Sequence, residues 1–146
     1  MAWNKLIPEN EIKEKVTDVT VEFAKEFGEH LGKCDKQVKL TTSQLRKFFG
    51  EVKKQQMNGY DETEFILLKP KLAYAVGRAR SKVKSIKLKD ELRINDFYHV
   101  ISKAIDCVKA DTHEDSEKRF HNFIKVFEAI VAYHKAAEES KMNDNN

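Results

Sequence analysis

Residues that break or turn a chain are scarce in this sequence. Five Gly and two Pro among 146 residues leave few sites for tight turns, which argues against a sheet-rich fold. Two cysteines, Cys34 and Cys107, cannot make a disulfide framework or a Cys-rich zinc module, and both are expected to be reduced. No uninterrupted apolar run approaches the ~18 residues of a membrane span, and the N-terminus has no apolar signal core. A cytoplasmic protein with no membrane partner is therefore expected. His30, His99, His113, His121 and His134 include no i, i+4 pair, and none joins a cysteine in a zinc-like cluster. With no Walker sequence and no dinucleotide fingerprint either, neither metal nor cofactor is expected.

What is present in quantity is charge, at 35% of residues, set among Leu, Ile, Val and Ala at helical spacing. The expected fold is all-α, a single-domain bundle of about five helices over residues 1–146, with a frayed polar tail from about 138 to 146. A first helix is predicted from near Pro8 to Gly32, burying Ile12, Val16, Val19, Phe23, Phe27 and Leu31. Thr41 and Gln44 have capping-box spacing, with Leu40 and Leu45 placed as a hydrophobic staple, so a second helix starts there and runs to the Met57-Asn58-Gly59 break. Asp61 to Leu68 reads as a short turn before a third helix opening at Pro70, with Leu72, Ala75, Val76, Ala79 and Val83 as its stripe. The lysine-rich Ser85–Asp90 stretch either extends that helix or frays from it. Asn95 is placed to cap a fourth helix, and a fifth follows Asp111–Asp115 with Phe120, Phe123, Ile124, Phe127, Ile130, Val131 and His134 in step.

The net charge of +3 conceals strong segregation. Residues 33–54 hold seven Lys or Arg against Asp35 and Glu51, a net of +5, and residues 69–93 hold nine against Asp90 and Glu91, a net of +7. The stretches 1–32, 55–68 and 94–146 each come to −3. A polyanion-binding face needs such a field. At about 100° per residue, Arg46 and Lys53 fall on one flank of the second helix with Gly50 between them, where a missing side chain lets a phosphate backbone come close. Lys47 and Lys54 point outward. On the third helix Lys71, Arg78 and Lys82 cluster with Tyr74, while Arg80 and Lys84 take the opposite flank. Cations beside an accessible aromatic suit single-stranded RNA, whose bases stack on Tyr or Arg.

Three stretches go further than charge: Leu40-Thr41-Thr42-Ser43-Gln44-Leu45-Arg46-Lys47-Phe48-Phe49, Leu72-Ala73-Tyr74-Ala75-Val76-Gly77-Arg78, and Phe127-Glu128-Ala129-Ile130-Val131-Ala132-Tyr133-His134-Lys135. In this order the chain resembles the small subunit of type III-A CRISPR effector complexes, the Csm family, over roughly residues 38–137. The resemblance implies a non-catalytic helical bundle present in several copies along the belly of a ribonucleoprotein filament. Its partners would be guide RNA, target RNA, the repeated backbone subunit, the large polymerase-like subunit and further copies of itself. The family's RNA contacts map most naturally to Arg46 and Arg78, then to Lys53, Lys54 and Arg80; Tyr133 maps to packing. The full set of RNA-binding candidates is Arg46, Lys47, Lys53, Lys54, Lys71, Tyr74, Arg78, Arg80 and Lys82, with no catalytic residue.

Two other classes compete. Arg93 and His99 have the R-x5-H spacing of helical HEPN-type ribonucleases, in which Arg stabilises charge and His transfers a proton. A helical DNA-binding regulator also fits the charge, although the cations span two helices instead of one recognition helix.

Overall fold

The computed structural model describes the backbone of residues 3–144 and the side chains of residues 3–140. The fold is all-α, and the described residues form α1 (Glu9–Lys13), α2 (Asp18–Gly32), α3 (Thr42–Asn58), α4 (Glu62–Ile66), α5 (Leu68–Ser81), α6 (Ile86–Glu91), α7 (Arg93–Asp106) and α8 (His113–Asp144). The 32-residue α8 is the spine. α1, α2 and α3 pack against it, α7 reaches it where Phe97 meets Phe127, and α5 packs on α7 and α3. Phe48, Phe97, Phe123 and Phe127 meet ring to ring in the middle, and a second group of Tyr60, Phe65 and Phe120 joins them through Phe123.

The closest helix pair is α2 on α8, and glycine makes it possible. A Cβ at Gly28 would stand 2.7 Å from the His134 backbone nitrogen and 2.7 Å from the Tyr133 carbonyl carbon. Gly32 is the last residue of α2 and also part of this seam, where a Cβ would meet the His134 oxygen at 3.0 Å. Tyr133 packs against the core. The buried His134 bonds through Nε2 to the Leu40 carbonyl at 2.7 Å, tying α8 to the segment that leads into α3.

The predicted first helix is two helices. Its apolar spacing runs on through residues 14–17, but the buried carboxylate of Glu11 competes for the same backbone. Glu11 Oε1 accepts from the Thr17 N–H at 2.9 Å, the Thr20 N–H at 3.0 Å and the Thr20 hydroxyl at 2.7 Å, and the Thr17 hydroxyl reaches the same carboxylate. Thr17 in turn caps α2, accepting from the Val19 N–H. Carbonyls left over at the break, those of Ile12 and Glu14, accept from Asn122 Nδ2 of α8 at 2.9 and 3.2 Å. Val19 is consequently 40% exposed instead of part of the buried stripe.

The Thr41–Gln44 capping box forms in both directions, Leu40 and Leu45 are buried, and α3 stops at Gly59, whose φ of 90° lies in the region glycine tolerates. α5 begins two residues before Pro70, which therefore sits in a first turn that needs no N–H from it. The Ser85–Asp90 stretch neither extends nor frays α5; Ser85 caps a separate α6. Asn95 is not the cap of α7, which starts at Arg93. Its amide is engaged elsewhere, donating to the Lys89 carbonyl at 2.8 Å and accepting from Arg80 at 3.3 Å. α8 runs as helix through Asp144, into the polar tail read from the sequence at about 138–146, and residues 145–146 lie outside the described residues. Glu138 is buried, accepts a hydrogen bond from the Thr42 hydroxyl and pairs with Lys39 at 3.2 Å.

Candidate nucleic-acid interface

α3 and α5 flank a cleft of about 680 Å³. Its apolar lining comes from Leu40 and Phe48 on one side, Leu72, Ala75 and Ala79 on the other, and Ile94 and Phe97 of α7 beneath. Around this lining stand Lys47 from α3, Lys71, Tyr74 and Arg78 from α5, and Lys82 at the α5 C-cap. Five of the nine predicted RNA-binding residues thus share one cavity. Glu51 is the acidic residue of the lining, and it bonds to Lys71 at 3.1 Å across the cleft. Both of these side chains are about half exposed, so the pair is weak and exchangeable.

The other four predicted residues lie outside the cleft. Lys53 turns the other way, toward α8, where Nζ pairs with Glu128 at 2.9 Å and lies 5.5 Å over the Phe49 ring. Arg80 braces α6, donating to the Lys89 carbonyl at 2.9 Å and pairing with Asp90 at 3.1 Å. Arg46 and Lys54 are exposed on α3 away from the cleft. Among the described residues no carboxylate is in ion-pair range of Arg46, Lys47, Lys54, Arg78 or Lys82, in contrast to Lys53, Lys71 and Arg80. Lys47 reads as an outward solvent residue in the sequence because the helical wheel measures its angle from the core and not from α5. Ser43, Gln44 and Glu51 also line the cleft, beyond the predicted set. The row Ser43-Lys47-Glu51, stepping by four, is the signal that marks Ser43 and Glu51.

Gly50 and Gly77 are unconstrained by packing. Among the described residues a Cβ at either position would meet nothing within 4 Å, so no contact there requires glycine. Each interior helical glycine costs about 0.5–1 kcal/mol relative to alanine.

Arg93 and His99 do not form a pair. They are six residues apart on α7 and so about 120° apart around it. Arg93 points back into the fold, donating through Nε to the His30 carbonyl at 3.0 Å and through Nη1 to the Glu91 carbonyl at 2.9 Å. Cys34 and Cys107 are free thiols, and burial pushes both pKa values up, away from reactive thiolate. Among the described residues no group of three or more His, Cys, Asp or Glu could hold a metal ion, and no helix is long and apolar enough to cross a membrane.

A family model described as Csm2 Type III-A matches residues 14–140. The chain belongs to the Csm2 family. No curated protein and no solved structure matches it. As a Csm2 protein it is a small subunit of a type III-A CRISPR complex, and the match takes in α2 through most of α8. The three motif stretches fall in structurally distinct places for a Csm2 chain. The first two supply the walls of the cleft, and the third supplies the backbone against which Gly28 packs.

Proposed function

We propose that this Csm2 chain is a non-catalytic RNA-binding subunit whose α3–α5 cleft lies against guide or target RNA and holds its phosphates without reading sequence. The observation that carries this reading is the convergence of Lys47, Lys71, Arg78 and Lys82 with the exposed Tyr74 on one cavity. Lysine and arginine on phosphates position a strand but carry no base information. Arg46 and Lys54, exposed and without a carboxylate partner, extend the basic field along α3. Lys53 and Arg80 contribute charge, but their side chains are engaged in holding α8 and α6. The repeated backbone subunit, the large polymerase-like subunit and further copies of this chain are the protein neighbours, met through the acidic surfaces of α1, α2 and α8.

The test is the salt dependence of RNA affinity in the assembled complex. Replacing Lys47, Arg78 and Lys82 with Ala lowers the log–log salt slope by about 0.7 for each single-strand phosphate that is no longer neutralised. Unchanged affinity and slope reject the cleft as the RNA site. Equal affinity for duplex DNA and single-stranded RNA turns the reading toward a DNA-binding regulator. Cleavage of labelled RNA by the pure protein, abolished by His99→Ala, overturns the non-catalytic assignment.

A further inference from the structure

We propose that the same cleft also takes up an unpaired nucleobase, stacked on Tyr74 with its face toward the apolar lining. This rests on the cleft being the RNA site, and adds to phosphate binding a second kind of contact with its own residue.

Tyr74 is the first observation. Of the nine Phe, four Tyr and one Trp in the chain, it is the one that remains exposed, at 70%, while every other aromatic is buried or partly buried. Aromatic rings carry large apolar faces that a folding chain buries where it can, and α5 had an alternative in the half-buried positions of its own stripe. Left at the edge of a cleft, the ring offers a stacking surface that costs little entropy to hold in place.

The second observation is the composition of the cavity. A site made only for phosphates is polar throughout; here the cations stand on the rim and the lining beneath is Phe48, Leu72, Ala75 and Phe97. Apolar depth with a charged edge matches a nucleotide, whose flat base is apolar on both faces and whose phosphates lie to one side. The volume of about 680 Å³ is in the range of sites that enclose small molecules. A paired base cannot enter, because its faces are covered by its neighbours in the helix, so the occupant is a base outside the stack. Every base has a π-face, so the contact tolerates any sequence.

The experiment compares two strands of equal length on the full chain at low salt, one ordinary single-stranded RNA and one abasic RNA with the same ribose-phosphate backbone. The expected result is about tenfold or more tighter binding of the base-bearing strand, the scale of one base–aromatic stack. Tyr74→Ala erases that advantage and leaves binding of the abasic strand unchanged, whereas Tyr74→Phe retains it. Equal binding of both strands by the unaltered chain, with a normal salt slope, overturns the base subsite alone. Equal losses on both strands in Tyr74→Ala overturn it as well. Failure of both strands to bind at low salt removes the subsite and the phosphate reading together.

Discussion

Two helix pairs in this chain carry two glycines each and use them in opposite ways. Along the α2–α8 seam, Gly28 and Gly32 let one backbone press on another; a side chain at Gly28 would run into main-chain atoms, and one at Gly32 would crowd the His134 oxygen and the side chains of His134 and Glu138. On α3 and α5, Gly50 and Gly77 face open space outside the lining of the cleft. The first pair is satisfied within the chain. The second accepts a loss of helix stability that nothing inside the chain repays, which fits a surface completed by a partner. Charge divides the same way: Glu11 and Glu138 are buried and fully partnered, whereas Arg78 and Lys82 stand exposed beside a cavity.

The largest expected effect comes from closing the tight seam. Gly28→Ala loses about 1–3 kcal/mol of stability in chemical denaturation, since the obstacle is backbone. A loss below about 0.5 kcal/mol, the scale of an ordinary surface change, would mean that the seam relaxes freely and differs less from α3–α5 than its spacing indicates.

Next is the buried carboxylate. Burial works to raise the Glu11 pKa, but the hydrogen bonds from Thr20 and Thr17 outweigh it and hold the value below the ordinary carboxylate range. Burial likewise works to raise the Glu138 pKa, and Thr42, His134 and Lys39 together hold it low. Both groups bind protons more weakly folded than unfolded. The stability they contribute is therefore complete above the ordinary carboxylate pKa of about 4.3 and is lost as pH falls through their depressed values. Glu11→Gln costs about 1–3 kcal/mol near neutral pH and flattens part of the acid limb, read from denaturation midpoints across pH. A parallel, undiminished acid limb in the variant would assign the pH dependence to other groups.

On the open side, Lys53→Ala and Arg80→Ala sharpen the comparison from the other direction. Both leave the salt slope of RNA binding nearly unchanged, while Arg80→Ala speeds amide exchange over Ile86–Glu91, the segment it braces. A slope that falls as far as in Arg78→Ala would move the RNA track outside the cleft. Smallest are Gly50→Ala and Gly77→Ala, each expected to gain about 0.5–1 kcal/mol of stability.

Legibility in the sequence followed the range of the forces involved. The capping box at Thr41 and Gln44, the stop at Gly59 and the stripe of α8 were readable because each is decided within a few residues. The break between α1 and α2 was not, since the periodicity from Ile12 to Phe23 continues unbroken and the interruption depends on where one carboxylate turns. A local cue existed in Thr17-Asp18, a good cap followed by an acid in the first turn. For the site, the helical wheel grouped Lys71, Tyr74, Arg78 and Lys82, which line one cleft because the first three share α5 and Lys82 is its C-cap. It could not show that Lys47 faces α5 across a cleft, or that Lys53 is matched by Glu128 seventy-five positions away. A helical wheel gives the angle from the core; the flank's neighbour comes from topology.

α6 buries none of its residues, and Ile86 at its start is 77% exposed. The segment hangs from the fold by the bonds around Arg80 and Asn95 instead of by packing. For protein engineering this makes the Ser85–Glu91 stretch an internal attachment point. A short epitope or a protease cleavage sequence inserted there leaves every core side chain in place, so assembled complexes can be captured or cut through the interior of the chain with both termini untouched.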